Sequence, residues 1–327
     1  MTPPDWPAIL AGTDCQLLAT EDDRPAWLAA RRTGIGASDA SAVLGLSQWA
    51  TPLSVYFEKV ATDPPDDWTP SEAAEWGNRL ESVVAEAFSE RTGIPLIGKP
   101  GLLANRARRW QLATPDALLD HQTGLGLLEV KTVGRAGADD WDGTEIPYHA
   151  LIQVHHQMLV TGIHAAWVAC LIMGQRLVIR EVPHDRELHD RINAVEAAFW
   201  EKVQHRTPPE PLGHRADIQA LARAYPEATG GTTELPPDVH ELVHDYRRQS
   251  AGLAALQTIR DATEARLKLA LGDASTGTID GATAVTWPSY TRETWNTRQL
   301  ERDQPALRAQ YARTTTYRRF TVKEPKP

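Results

Sequence analysis

Cysteine is nearly absent: Cys15 and Cys170 are the only two in 327 residues, too few for a disulfide framework or an iron–sulfur cluster, which leaves both as small packing residues. No apolar run approaches the roughly 18 residues of a membrane span, and the first residues lack the basic-then-apolar order of a signal peptide, so the chain is expected in the cytoplasm. An excess of positive charge is missing too. The net charge of −9 argues against a protein that coats duplex nucleic acid nonspecifically, since phosphate binding rests on clustered Lys and Arg, yet it leaves room for a locally basic channel. With 42% hydrophobic residues, a chain of this length suits one large core and a smaller second unit.

What is present is a spaced acidic pair. Asp116 lies in the turn-prone run Leu112-Ala113-Thr114-Pro115-Asp116, and Glu129-Val130-Lys131 closes Gly124-Leu125-Gly126-Leu127-Leu128, which reads as a buried strand entered through glycines. Side chains alternate along a strand, so Glu129 and Lys131 share one face while Leu128 and Val130 enter the core. Hard cations such as Mg²⁺ take carboxylate and carbonyl oxygens and keep waters that attack a phosphodiester. Asp116, Glu129 and the Val130 carbonyl are suited to hold such an ion, and Lys131 to orient or deprotonate the water and screen the phosphate. Alone, the string also fits an edge strand with surface charges.

Three further blocks flank the pair in order: Trp27-x3-Arg31-x2-Gly34-Ile35-Gly36-Ala37-Ser38-Asp39, Glu75-Trp76-Gly77-Asn78-Arg79-Leu80-Glu81, and Gln153-x4-Met158-x2-Thr161-Gly162. Together, over about residues 24 to 205, they resemble the YqaJ-type viral recombinases, close to phage lambda exonuclease, in the PD-(D/E)xK nuclease superfamily. The resemblance implies an α/β, restriction-endonuclease-like core, a mixed central sheet flanked by helices, with a C-terminal helical arm and a small β-hairpin. It implies metal ligands at Asp116, Glu129, Val130 and the helical Glu81, a catalytic lysine at Lys131 and a water- or substrate-positioning glutamine at Gln153. Arg31, Ser38 and Thr114 then stand where the family holds a 5′-terminal phosphate, with the Gly34-Ile35-Gly36 amides completing an anion cradle if Ser38 opens the next helix. Ala117 departs from the family's Gly after Pro-Asp, and a positive φ there would strain it.

The activity so implied is a Mg²⁺-dependent 5′→3′ exonuclease, Mn²⁺ substituting, on linear double-stranded DNA ends, leaving 3′ single strands for recombination. The expected setting is a bacterial cell with a phage or prophage gene, a single-strand annealing protein as partner, and a ring-shaped homotrimer as in processive relatives. A single-strand exonuclease or a structure-selective endonuclease would use the same metal site, and a noncatalytic DNA-end-binding protein is the rival of another class.

Helix is expected through residues 24 to 60, with Thr51-Pro52 as a helix start, then a break at Asp63-Pro64-Pro65-Asp66 and a helix from Ser71 to Thr92 ending at Gly93. After the catalytic strand come a mobile loop from Gly134 to Ile146, a helix from Pro147 to Val160, strands at 164–173 and 175–182, and a helix from Asp185 to His205. The nuclease domain is thus residues 1–205. Residues 206–236, with Thr207-Pro208-Pro209 and Gly230-Gly231, read as linker, and 237–327 as a helical arm, hairpin and basic extension. The arm's stripe of Val239, Leu242, Val243, Tyr246, Leu253, Leu256 and Ile259 has imperfect heptads, which favours packing over self-association. Asp280-Gly281 reads as a hairpin turn. From Thr291 onward nine basic residues face four acidic ones, interleaved with Trp295, Tyr311, Tyr317 and Phe320, which suits a strand-binding surface or a solvated face on a small core. His149, His155, His156 and His164 lack a standard zinc spacing and read as core or surface residues.

Overall fold

The computed structural model describes residues 4–20, 22–61 and 71–323; the break expected at Asp63–Asp66 lies outside them. The chain divides into two compact units, Met1–Ala224 and Tyr225–Pro327. In the first, the order is α1 (Trp6–Ile9), β1 (Cys15–Ala19), α2 (Arg24–Arg31), β2 (Ile35–Gly36), α3 (Ala37–Val43), α4 (Pro52–Val60), α5 (Glu72–Thr92), β3 (Leu96–Gly98), β4 (Leu102–Asn105), β5 (Gln111–Ala113), β6 (Ala117–His121), β7 (Gly124–Val133), α6 (Tyr148–Thr161), β8 (Ala165–Ile172), β9 (Arg176–Val182), α7 (Arg186–Gln204) and α8 (Arg215–Ala224).

Two sheets result, a five-stranded one ordered β3-β6-β7-β8-β9 and a four-stranded one ordered β1-β4-β5-β2. The large sheet is mixed: β7 runs antiparallel to β6 and parallel to β8, the parallel step requiring the crossover that α6 provides. Alternation along β7 serves two cores. Leu128 and Val130 pack with Val84, Ala85 and Phe88 of α5, whereas Leu127 packs on the opposite face with Ala150, Val154 and Met158 of α6. The sheet is therefore covered by a helix on each face, the mixed α/β architecture expected.

Local signals explain the helix limits. Ser71 accepts the Ala74 N–H at 3.2 Å and Gly93 closes α5 with φ 74°, and Thr51 caps α4 ahead of Pro52. Between α2 and α4 the helix expected through 24 to 60 is interrupted, because Ile35-Gly36 pairs with Gln111-Leu112 as a parallel strand. Gly34 permits that approach: a Cβ there would fall 2.2 Å from the Trp110 carbonyl oxygen.

Two expectations change. The linker read at 206–236 contains α8, which belongs to the first unit. Its buried Asp217 accepts from the Thr51 hydroxyl at 2.5 Å and from the Leu212 and His214 N–H groups at 2.9 and 3.2 Å, contacts hidden from sequence by their separation. Asp217→Ala, which leaves those donors without their acceptor, is expected to lower unfolding free energy by about 2–3 kcal/mol, read by urea titration of the full chain. The loop at 134–146 is also anchored rather than free: Trp141 is buried, and Arg180 stacks over its ring at 5.3 Å and donates to the carbonyls of Trp141, Gly143 and Glu145.

The second unit holds α9 (Pro237–Leu271), the hairpin β10 (Thr276–Ile279) and β11 (Ala282–Thr286), α10 (Thr297–Asp303) and α11 (Pro305–Tyr311). Asp280 and Gly281 both take positive φ, 52° and 81°, as a tight hairpin turn of the primed type requires. Within this unit the long helix α9 has no buried residue, and Tyr246 of its stripe meets Phe320 edge-on at 5.5 Å.

Candidate active site

The period of β7 places Glu129 and Lys131 on the face that α6 covers, and α6 meets them with Gln153 and Gln157, one turn apart on one helix side. Lys131 Nζ donates to Glu129 Oε1 at 2.5 Å and to Gln153 Oε1 at 2.7 Å. The Gln153 amide donates to Glu129 Oε1 and the Gln157 amide to Glu129 Oε2, each at 2.6 Å. Glu129 is thus buried with both oxygens satisfied. Gln157 escaped sequence reading, although its i+4 spacing from Gln153 was the available signal.

Asp116 sits just before β6, where pairing of Ala117 with Leu128 brings it beside β7, and its Oδ2 accepts the Val130 N–H at 2.7 Å. Burial, then the charges of Glu129 and Glu81, push its carboxyl well above the ordinary range against the pull of Lys131 and the Val130 N–H. Burial drags the Lys131 ammonium down, but Glu129 and Asp116 outweigh it and its pKa is raised. Glu81 lies one turn beyond Gly77 on α5 and is held by Lys99 at 2.7 Å, a partner not expected from sequence. Ala117 does not have positive φ, so the departure from Gly costs no backbone strain.

Among the described residues no three His, Cys, Asp or Glu side chains converge closely enough to grip a cation, and ammonium and amide groups occupy oxygens of Glu129 and Glu81. The donor chemistry nonetheless fits a hard divalent ion. Three acids share one electrostatic field and all ligands are oxygen; burial first and then repulsion from Glu129 and Glu81 raise Asp116, and a bound cation would relieve that repulsion.

A second cluster forms around Arg31, which donates to Ser38 Oγ at 2.7 Å and to Asp39 Oδ1 at 3.3 Å. The Thr114 hydroxyl, between β5 and Asp116, is buried with no hydrogen-bond partner. The backbone cradle changes from expectation: the Ile35 N–H donates to the Trp110 carbonyl at 2.7 Å and the Gly36 N–H to Asp39 Oδ2 at 3.1 Å. Ser38 lies inside the first turn of α3, whose N-cap is Gly36.

The histidines separate by environment. His149 lies at the start of α6 in the field of Lys131, its pKa lowered by burial and then by that ammonium. His155 Nδ1 lies 3.0 Å from His189 Nε2, His184 packs edge-on against His189, and His164 lies tilted against His184 with ring centroids 4.0 Å apart. Burial, then His155, His184 and His164, bring His189 down to about 4. A depressed histidine leaves stability intact above its unfolded pKa and erodes it as protons are forced in. Acidification from about pH 6.5 to 4 is therefore expected to cost up to about 3 kcal/mol, a slope that His189→Phe flattens in denaturant titrations at stepped pH.

These features place the chain among α/β proteins whose sheet carries an acidic pair and a lysine beneath a glutamine-bearing helix. A YqaJ-like viral recombinase domain is matched over residues 26–164, and the chain belongs to that family. It is 31% identical over 309 residues, 93% of this chain and 96% of the relative, to the uncharacterized protein YqaJ of Bacillus subtilis (strain 168). Among solved structures it is similar to an alkaline exonuclease, LHK-Exo, from Laribacter hongkongensis (19% identity, TM-score 0.48, 57% of this chain and 94% of that one). A phage-related exonuclease from Haemophilus somnus 129PT is also similar (12% identity, TM-score 0.41, 53% of this chain and 94% of that one).

Proposed function

We propose that this chain is a divalent-cation-dependent deoxyribonuclease that removes nucleotides from the 5′ ends of linear double-stranded DNA and leaves 3′ single strands for recombination. The observation that carries the reading is the joining of Asp116, Glu129, Lys131 and Gln153 at one place on the sheet, with Asp116 titrating high beside its fellow acids. Membership of a viral recombinase family supports it.

Asp116, Glu129, Glu81 and the Val130 carbonyl would hold Mg²⁺, or Mn²⁺ in its place, which when bound polarises the phosphodiester and acidifies a water. Lys131, hydrogen-bonded to Glu129 and Gln153, would orient the water or help to deprotonate it and screen phosphate charge. Gln153, bonded to both Lys131 and Glu129, fixes their rotamers. Arg31, Ser38 and the unpartnered Thr114 hydroxyl supply a guanidinium and two hydroxyls for a 5′-terminal phosphate. Action on linear ends for recombination further implies a single-strand annealing partner, and processive digestion a ring of copies, the homotrimer being the form to seek by light scattering. Among the described residues no helix is long and apolar enough to cross a membrane.

The test is Mg²⁺-dependent digestion of end-labelled linear duplexes bearing 5′-phosphate or 5′-hydroxyl, beside a covalently closed circle and an Asp116→Ala control. Release of 5′ nucleotides from phosphorylated linear DNA, lost in the control, is expected. Cutting of the closed circle would replace the reading with an endonuclease, and no cation-dependent cutting with an end-binding protein.

A further inference from the structure

Behind Arg31 the structure builds an ion chain that the chemistry above does not use. Lys59, on α4, is a lysine whose side chain is 0% exposed, a position this residue type occupies only when its charge is matched. Its Nζ donates to Asp39 Oδ2 at 2.7 Å and reaches the Arg31 backbone carbonyl at 3.5 Å. Asp39, on α3, is itself buried. Its Oδ2 also accepts the Gly36 N–H and its Oδ1 accepts from Arg31. One carboxylate therefore joins three elements: α2 through the guanidinium, the β2–α3 turn through the amide, and α4 through the ammonium.

The sharing of Asp39 is the informative part. A buried carboxylate held by one arginine alone is free to close over it and mask its donors. Here Lys59, whose Nζ also has Glu58 Oε1 at 3.9 Å, takes the second oxygen of Asp39, so Asp39 is held from two sides and Arg31, 25% exposed, faces solvent. Because Asp39 holds one edge of the guanidinium and Ser38 Oγ lies 2.7 Å from the same Nη2, the remaining donors are presented in a fixed orientation. A pre-oriented guanidinium loses less side-chain entropy on gripping phosphate than a free one.

We propose that Lys59 and Asp39 are positioning residues that orient Arg31 so that the pocket selects a 5′-terminal phosphate over a 5′-hydroxyl. The inference rests on the nuclease reading given above. Neither residue touches the nucleic acid. Asp39 fixes the guanidinium through one oxygen, and Lys59 holds Asp39 in place through the other.

The test compares kcat/KM on linear duplexes with 5′-phosphoryl and 5′-hydroxyl ends, in Mg²⁺, for the full chain and for Lys59→Met. This substitution leaves Asp39 paired with Arg31 and the Gly36 amide. The phosphoryl-over-hydroxyl ratio is expected to fall about tenfold, the scale of one charge-assisted contact, with the loss in KM for phosphorylated ends and in inhibition by inorganic phosphate. A double variant, Asp39→Asn with Lys59→Met, removes the buried charges together and serves if the single one does not fold; it too is expected to lose the preference while retaining Arg31. Wild-type preference for phosphate with the same preference in either folded variant overturns the positioning role and leaves the nuclease reading standing. A wild type that digests DNA without distinguishing the two ends, or digests none, overturns the pocket assignment itself and this proposal with it.

Discussion

Asp116→Asn is expected to abolish cation-dependent DNA hydrolysis, by about a thousandfold or more given the several kcal/mol that a metal ion contributes, and at the same time to make the cation-free protein more stable. Both results follow from one feature. Asp116 is pushed well above the ordinary carboxylate range by burial, then by Glu129 and Glu81, so the folded state resists its ionisation. A group raised in this way contributes stability fully below its unfolded pKa and loses it as pH rises through the folded value. In chelator, the wild-type melting temperature is therefore expected to decline from mildly acidic to neutral pH relative to the Asn variant, which has nothing to ionise. Each kcal/mol of that gap corresponds to roughly 2–4 °C for a unit of this size. Titrating Mg²⁺ should raise the wild-type melting temperature and leave the variant's nearly unchanged. Equal pH profiles for the two proteins in chelator would show that Asp116 is not held under repulsion.

The parts of this site that sequence revealed are those fixed by local periodicity. Alternation along 124–131 places Glu129 and Lys131 on one face, and the strand β7 realises that placement with Leu128 and Val130 in the opposite core. The helix boundaries at Ser71, Gly93 and Thr51 follow from capping chemistry that acts within a turn. What escaped was set by contacts between distant segments. Lys99 reaches Glu81 across 18 positions, Lys59 reaches Asp39 across 20, and Thr51 reaches Asp217 across 166; no local pattern marks such pairs. The Gly34–Gly36 amides illustrate the converse. Their residue types suit an anion cradle, but strand pairing and Asp39 consume the Ile35 and Gly36 N–H groups, so competition for hydrogen bonds decides what composition leaves open.

The largest stability loss is expected at Glu196, where α7 meets α6 and β5. Glu196 and His156 have fully buried side chains. His156 Nδ1 lies 2.6 Å from Glu196 Oε1 and its Nε2 lies 2.9 Å from the Leu112 carbonyl, so both ring nitrogens face acceptors. A neutral imidazole has one N–H and one lone pair and would leave a lone pair against an oxygen; the imidazolium, with two donors, satisfies both. Burial alone lowers His156, yet the Glu196 charge and the hydrogen bonds to Glu196 and Leu112 raise it overall. Glu196 Oε2 also accepts the Gln111 amide at 2.7 Å, and Gln111 donates to Asn193 and accepts from Arg108. Glu196→Ala strands a buried cation and an amide together and is expected to cost about 3–5 kcal/mol, read by denaturant titration. The double substitution Glu196→Leu with His156→Leu, which removes both charges, is expected to recover much of the loss. The sign of the pH effect is opposite to that at His189. A raised histidine gives stability that is complete below its unfolded pKa and disappears as pH climbs through the folded value, so wild-type stability should fall on the alkaline side while Glu196→Ala shows no such decline. A Glu196→Ala protein as stable as wild type at neutral pH would mean that the pair does not tie α7 to the sheet beneath it.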